Sequence, residues 1–507
     1  MTSVSSSQTR LSLIEVHRAN CPPIPRGVAP CITSDMFRVI RSDKRPQAKI
    51  TYSFSPLKAA SSDLEHDKAI ALGTARPHSA LLPWNSLEFQ ACNASRALDR
   101  TAESAATSMY CTKNELGYDL SIAMNYSYST GSPQLLRYFT EHIELVHDPQ
   151  YRDWETCITC GTTSALEYAF RILCDPGDSI LTEAFTYPGA LAALRGQGLK
   201  VVGVQIDDYG LSAKDLELEL RTWDTTRGPR PSVLYTIPTG QNPTGTTQTL
   251  ERRQEIYAIA ETYDLFIIED DPYYFLQLDA YRTNETSERV PTAVMSSLDC
   301  YFMSLPKSYL SLDTCGRVLR LDSTSKILGP GLRLGWATSS PAVISKFLAL
   351  TEVGVQAPNG PSQIMLYKLL DENWRHGGFL KWLADLSSVM RQRRDRLIQA
   401  CKSLLAADTC TIHIPSAGMF VWVKVNTAML SDGLSRDESK ASLARFEEKV
   451  YVEAQGNGVL ISKGSWFDAS SLETSDVHFR LTYAAAPVDE LTVGVQKFAK
   501  TLTKYIG

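Results

Sequence analysis

The chain has 507 residues, 43% of them hydrophobic and 21% charged, with a formal net charge of -5. That length exceeds what one compact core usually holds, the composition is that of an ordinary globular protein, and a mildly acidic balance without a basic stripe argues against nucleic acid or an anionic membrane as a partner. No stretch reaches the roughly 18 uninterrupted apolar residues of a membrane helix, the start lacks the apolar core of a secretory signal, and the eleven cysteines are scattered and odd in number, so cytoplasm is the expected compartment and neither a disulfide framework nor a metal site is expected.

Residues 1–65 are polar and broken by Pro22, Pro23, Pro25, Pro30 and Pro46, and read as an arm without periodic structure. Residues 69–84 read as a short strand and a loop, and a loop over 125–131 precedes a helix over 132–146. Strand and helix then alternate, the pattern of a sheet whose parallel strands are joined by crossovers. The spacing predicts a strand over 156–160, the small-residue turn Gly161-Thr162-Thr163-Ser164, and a helix with Ala165, Leu166, Ala169, Phe170 and Leu173 on one face. Cys157 and Cys160 lie in this strand with no second pair at zinc-site spacing, so packing is the expected role. Strands over 179–182 and 200–206 follow, with a helix over 187–196 between them.

A strand over 233–237 runs into Pro238-Thr239-Gly240-Gln241-Asn242-Pro243-Thr244-Gly245, an ordered loop by its Pro and Gly content. Next come a helix over 250–263 and a strand over 265–268 that ends in Glu269-Asp270-Asp271-Pro272-Tyr273-Tyr274. Residues 275–316 read as an irregular insertion. Beyond 349, helices over 362–372 and 378–405, strands over 411–414, 418–425 and 477–483, and a helix over 488–505 have the order of an α+β domain. The expected division is an arm over 1–65, a large domain over 66–350 and a small domain over 351–507.

The chemistry concentrates in residues 318–335. An apolar strand stops at Asp322, a hydroxyl-rich turn follows, and Lys326 sits between hydroxyls and a Gly-Pro-Gly breaker. Ser323, Ser325 and Arg333 have the donors for a dianionic phosphate, since hydroxyls adapt and arginine presents a planar fork. An amine beside a bound phosphate suits imine formation with an aldehyde, aided by a neighbouring positive charge that lowers its pKa. On this segment alone a solvated surface lysine fits as well.

Other turns follow other strands, and ligands in open α/β sheets gather outside the carboxyl ends of the strands. Thr162 and Thr163 open a helix whose free N–H groups and dipole suit a phosphate. Asp270 ends a buried strand, where a carboxylate needs a partner such as a protonated ring nitrogen or a loop N–H. Asn242 and Tyr273 carry donors, Tyr187 before Pro188 has a flat ring for stacking or core packing, and Arg480 interrupts an otherwise apolar strand, so it either snorkels outward or reaches into a site.

Tyr187-Pro188, Asn242-Pro243-Thr244-Gly245, Asp270-x-x-Tyr273, Ser323-x-Ser325-Lys326 with Arg333 seven residues on, and Phe479-Arg480-Leu481 occur in the order in which they stand in the class I/II aminotransferases of fold type I. The chain resembles that family over roughly residues 69–500, and within it the fungal aromatic-amino-acid, 2-aminoadipate and kynurenine branch. The resemblance implies an α/β fold with a large domain on a mostly parallel seven-stranded sheet and a smaller α+β domain, a homodimer, and pyridoxal 5'-phosphate as cofactor. It implies that Lys326 forms the Schiff base and then moves the α-proton, that Asp270 pairs with the ring nitrogen, and that Asn242 and Tyr273 bind the ring oxygen. Tyr187 would stack on the ring. Thr162, Thr163, Ser323, Ser325 and Arg333 would hold the phosphate, joined by Tyr126 from a second subunit, and Arg480 with Asn242 would take the substrate α-carboxylate.

Departures from the pattern are Thr162-Thr163 in place of the commoner Ser-Gln, Thr324 where an aromatic residue is common, and Lys463 where proline is common. The implied activity is transfer of an amino group from an aromatic L-amino acid to a 2-oxo acid by a ping-pong cycle. The alternatives are a lyase that uses the same cofactor to cleave C–S bonds, a 2-aminoadipate or kynurenine aminotransferase, and a cofactor-binding transcription regulator, for which residues 1–65 are short and insufficiently basic.

Overall fold

The structure, a computed structural model, describes residues 75–92, 106–281, 298–427, 435–469 and 476–506. In chain order its strands are β1 (Ser86–Ala91), β2 (Thr107–Thr112), β3 (Glu155–Thr159), β4 (Ser179–Glu183), β5 (Lys200–Val204), β6 (Ile206–Asp207), β7 (Gly210–Leu211), β8 (Val233–Thr236), β9 (Phe266–Asp270), β10 (Val318–Ser323), β11 (Gly335–Ser339), β12 (Cys410–Ile412), β13 (Phe420–Val425), β14 (Ser462–Lys463) and β15 (Val477–Thr482). The largest sheet has seven strands in the order β3-β11-β10-β9-β8-β4-β5, and a four-stranded sheet runs β12-β13-β15-β14. Within the larger sheet β5, β4, β8 and β9 pair in parallel, while β11 runs antiparallel to both β3 and β10. Strands β4, β8, β9, β10 and β11 of this sheet are continuous runs of buried residues, as expected where both faces of a sheet are covered.

The chain groups into two compact units. The first draws on residues up to Asp175 and on Lys307–Trp382, the second on Pro176–Pro306 and on the chain from Leu383 onward. In the first unit the helix Pro133–His147 starts with proline at its first position and Ser132 Oγ accepting the Leu135 N–H at 3.4 Å, and it stops at Asp148, whose φ is 47°.

In the second unit the four-stranded sheet alternates cleanly. Val421, Val423, Val425, Val477, Phe479 and Leu481 join one apolar core, each stabilising the fold by roughly 1.5–3 kcal/mol through burial. Their neighbours Phe420, Trp422, His478 and Arg480 point to the opposite face, with Trp422 paired to Arg480 across the strands.

Predicted boundaries shift by a residue or two at most elements, and some elements differ in kind. The strand expected within 69–84 is not there in the described part: residues 79–81 form a 3-10 turn on which His78 Nδ1 accepts the Ala80 N–H at 3.2 Å, and the pairing strand is β1. Residues 69–74 and most of the 1–65 arm's neighbourhood lie outside the described residues, as does the arm itself. The helix expected over 362–372 is α-helical for Gly360–Leu366 and then widens into a π-helix over Tyr367–Trp374. The 275–316 segment is more regular than its sequence suggests where it is described. It carries helices Leu298–Ser304 and Tyr309–Leu312, and the buried Tyr301 hydroxyl donates to the Phe275 carbonyl at 2.8 Å. Helices Ala213–Arg221, Pro341–Gly354 and Arg436–Gly456 were not anticipated.

Candidate active site

In the first unit strand register sets the geometry. Thr159 and Ser323 end β3 and β10, and both pair with Gly335 of β11. A Cβ on Gly335 would lie 2.5 Å from the Asp322 carbonyl oxygen and 3.4 Å from the Gly161 Cα, so the Gly161 turn and the Ser323 turn are neighbours. Gly161 adopts φ 84°, ψ 165°, a region essentially restricted to glycine, and precedes helix Thr162–Leu173 without a side-chain cap. The first N–H groups of that helix therefore point off its end without intrahelical partners, with the positive end of the helix dipole behind them.

Arg333 brings its guanidinium against this turn: a Cβ on Gly161 would meet Nη2 at 2.8 Å. Arg333 itself is left-handed at φ 48°, a conformation that costs a side-chain-bearing residue roughly 1–2 kcal/mol. Ser323 is buried and accepts the Ser325 N–H on its Oγ at 3.1 Å. Thr162, Ser325 and Lys326 are half-buried, and Thr163 is exposed. Glycine turn, helix end, hydroxyls and guanidinium make a cradle with donors on several sides, which fits a phosphate dianion. Tyr126 is exposed, and no described contact joins it to this cradle.

Thr324 locks the lysine turn. Its Oγ1 donates to the Leu334 carbonyl at 2.8 Å, and its own carbonyl accepts N–H groups of Ile327, Leu328 and Gly329 at 3.2, 2.8 and 3.0 Å. The side chain at this departure from the family pattern is thus committed to holding the backbone around Lys326.

In the second unit β4, β8 and β9 are parallel, so the segments that follow them leave one edge of the sheet. Asp270, the last residue of β9, is 4% exposed and accepts a hydrogen bond on Oδ2 from the Tyr235 hydroxyl at 3.0 Å. Burial, then the negative charges of Asp270 and Glu183, push the Tyr235 phenol well above its usual range, so it remains a donor. Burial likewise raises the Tyr273 phenol, against the opposing pull of Arg480. Tyr187 folds its ring over Gly189, where a Cβ would lie 2.5 Å from the ring.

Gly240, at φ 52°, approaches Gly418 so closely that a Cβ would sit 2.6 Å from the Gly418 Cα. That approach holds the 238–245 loop beside the start of β13 and brings Asn242 to Arg480. Arg480 Nη1 donates to Asn242 Oδ1 at 2.7 Å and Nη2 donates to Ser462 Oγ at 3.1 Å. Its guanidinium carbon stands 4.3 Å from the Phe420 ring centre and 4.8 Å from that of Phe467, close enough for cation–π attraction. Nε is buried and has no hydrogen-bond partner among the described residues. Burial lowers the Arg480 pKa from its ordinary value, opposed by Tyr273, yet a guanidinium stays charged at physiological pH. The arginine therefore does not snorkel outward. It presents a fixed positive fork, suited to a carboxylate.

The sequence model of the aminotransferase class I and II family matches residues 118–498. The chain belongs to the class I and II aminotransferases. Among its relatives, the aminotransferase swnA of Arthroderma benhamiae is 42% identical over 87% of this chain and 87% of its own length. The aromatic amino acid aminotransferase C569.07 of Schizosaccharomyces pombe is 39% identical over 77% of this chain and 82% of its own. Among solved structures, aminotransferase Aro8 from Candida albicans superposes with a TM-score of 0.82 at 34% identity, covering 89% of this chain and 95% of that one. The fold is that of the type I aminotransferases, and the chain is an enzyme of amino-group transfer.

Several residues of this aminotransferase's candidate site have no signal in the sequence. Tyr235 lies inside an apolar strand and reads as core. Ser462, Phe420 and Phe467 are unremarkable until β15 places Arg480 among them. Lys463, in proline's usual place, holds φ -72°, within the range that proline would impose.

Proposed function

We propose that this aminotransferase moves the amino group of an aromatic L-amino acid to a 2-oxo acid in a ping-pong cycle, using pyridoxal 5'-phosphate and working as a cytoplasmic homodimer. The observation that carries the reading is Arg480, a half-buried guanidinium held by Asn242 and Ser462 and lying close to two phenylalanine rings. It has donors to spare for an α-carboxylate, and the aromatic side chains around it suit an aromatic substrate, as does the name of the Schizosaccharomyces pombe relative, an aromatic amino acid aminotransferase.

Bound to these residues, pyridoxal 5'-phosphate supplies an aldehyde that takes up the amino group and an electron-poor ring that loosens the α C–H bond. Thr162, Thr163, Ser323, Ser325 and Arg333 hold its phosphate, with Tyr126 of a second copy completing the cup. Asp270 keeps a proton on the ring nitrogen, and Tyr235 fixes which way that carboxylate faces. Tyr273 donates its raised-pKa phenol to the ring oxygen. Asn242, whose Oδ1 is taken by Arg480, would have its Nδ2 hydrogens left to donate to the ring oxygen or the substrate carboxylate. Tyr187 stacks on the ring. Lys326 would hold the aldehyde through Nζ, and the same nitrogen would carry the α-proton.

Initial rates with phenylalanine, tyrosine, tryptophan, kynurenine and 2-aminoadipate, each against 2-oxoglutarate, phenylpyruvate and pyruvate, test this. The aromatic donors are expected to have the highest kcat/KM, with parallel double-reciprocal lines. Preference for 2-aminoadipate, intersecting lines, or sustained turnover without any 2-oxo acid would overturn it, the last in favour of elimination chemistry.

A further inference from the structure

Residues 462–469 form a strap within the second unit that is tied on three sides. At its start β14 pairs with Arg480 and Phe479 of β15, Ser462 Oγ accepts from Arg480 Nη2 at 3.1 Å, and the Phe467 ring lies 4.8 Å from the guanidinium carbon. Along its outer side the helix Arg436–Gly456 holds it. Glu447 Oε1 accepts the Ser465 N–H at 3.0 Å, and Lys463 Nζ sits 2.6 Å from Glu448 Oε2. At its far end it pairs with the segment that leads to Tyr187: the Thr186 N–H donates to the Phe467 carbonyl and the Ala469 N–H to the Ala184 carbonyl, both at 2.9 Å.

We propose that this strap is a positioning device that sets the plane of the Arg480 guanidinium before substrate arrives, with Ser462 and the Lys463–Glu448 pair as its working parts. The inference rests on Arg480 as the carboxylate receptor. A guanidinium held at Nη1 and at Nη2 and packed against the Phe420 and Phe467 rings has already lost much of its rotamer freedom, so a carboxylate that binds it does not have to order it. Proline at position 463 would stiffen the strap through its ring. Lysine leaves the backbone free at φ -72°, and its side chain does the tethering through Glu448, with its ammonium 5.4 Å from the Trp466 ring. The strap touches Arg480 at one end and the residues before Tyr187 at the other, so it fixes the carboxylate receptor relative to the stacking tyrosine.

The effect is on binding common to ground and transition states, and KM moves while kcat does not. In the holoenzyme, Ser462→Ala is expected to raise both KM for the amino donor and the inhibition constant of 3-phenylpropanoate, a carboxylate without an amine, by about tenfold, with kcat within twofold. Ser462→Thr keeps the hydroxyl and stays within twofold of the parent. Glu448→Gln and Lys463→Gly raise the same constants about threefold, as befits a partly exposed ion pair, and Lys463→Pro restores them. Unchanged constants in Ser462→Ala, or a loss of kcat at constant KM, overturn the proposal. Glu448→Gln, at the surface, keeps the test open if Ser462→Ala does not fold. Arg480→Gln separates the two readings: if it leaves the 3-phenylpropanoate constant unchanged, the carboxylate role fails, whereas if it raises that constant and Ser462→Ala does not, only the strap fails.

Discussion

Arg480 Nη1 donates to Asn242 Oδ1 at 2.7 Å across a sequence separation of 238 residues. Asn242 is buried and Arg480 half-buried, so the amide and the guanidinium orient each other with reduced competition from water. A charge-assisted hydrogen bond of this kind contributes about 1.5–3 kcal/mol. Asn242→Ala is therefore expected to lower kcat/KM by about 30-fold, read by steady-state kinetics with the best aromatic donor. A loss below threefold would mean that the pair does not orient the site.

Tyr235→Phe removes the hydroxyl that donates to Asp270 and nothing else of similar size. The buried carboxylate then loses that donor, at a cost of about 1–3 kcal/mol. We expect kcat about tenfold lower and weaker retention of pyridoxal 5'-phosphate on dialysis, followed by the absorbance of the bound vitamer. Normal retention with normal kcat would show that Asp270 is oriented without Tyr235.

Gly161→Ala places a methyl group 2.8 Å from Arg333 Nη2 at a φ of 84°. Backbone strain of about 1–3 kcal/mol adds to the displacement of the guanidinium. The variant is expected to denature at lower urea concentration and to release the cofactor faster than the parent. Unaltered release would argue that the cradle does not hold the phosphate.

Lys326→Ala removes the only amine in the turn that β10 leads into. Turnover is expected to fall by several orders of magnitude, and borohydride should no longer fix the cofactor to the chain, as judged by intact mass. A rate within tenfold of the parent would refute the assignment.

His478 stacks on Trp422 at 5.0 Å, and burial lowers its pKa from 6.5 to about 4, with Asp476 opposing and Lys424 assisting. The folded state disfavours the charged ring, so as pH falls below 6.5 the unfolded chain takes up a proton that the folded chain does not. Stability is lost through that window and levels off once pH passes below about 4, by about 3 kcal/mol from this residue. Urea unfolding of the parent and of His478→Phe between pH 7 and 4 should diverge in this sense. Parallel curves would mean that the ring is protonated in the folded state.

Much of the architecture was legible because it is encoded locally. Proline and glycine punctuate the 238–245 loop, hydroxyls and Gly-Pro-Gly bracket Lys326, and strand and helix periods alternate between them. The π-helical turn of Tyr367–Trp374 and the helices at 298–304 and 309–312 were not legible. Their sequences carry no periodic signal strong enough, and buried tyrosine hydroxyls such as that of Tyr301 find their acceptors in distant parts of the chain.

By itself the sequence determined which residues could do chemistry: a lysine in a hydroxyl-rich turn, a carboxylate at the end of a buried strand, an arginine in an apolar one. Tertiary structure alone decided which way they face and what they meet. The register of β15 on β13 puts Arg480 on the face of Phe420 and Trp422, and a slip of one residue would have turned it into the valine core. The close approach of Gly240 to Gly418 then delivers Asn242 to it. Side-chain partners of this kind are set by register and by backbone contact distance, which a linear pattern of residues does not contain.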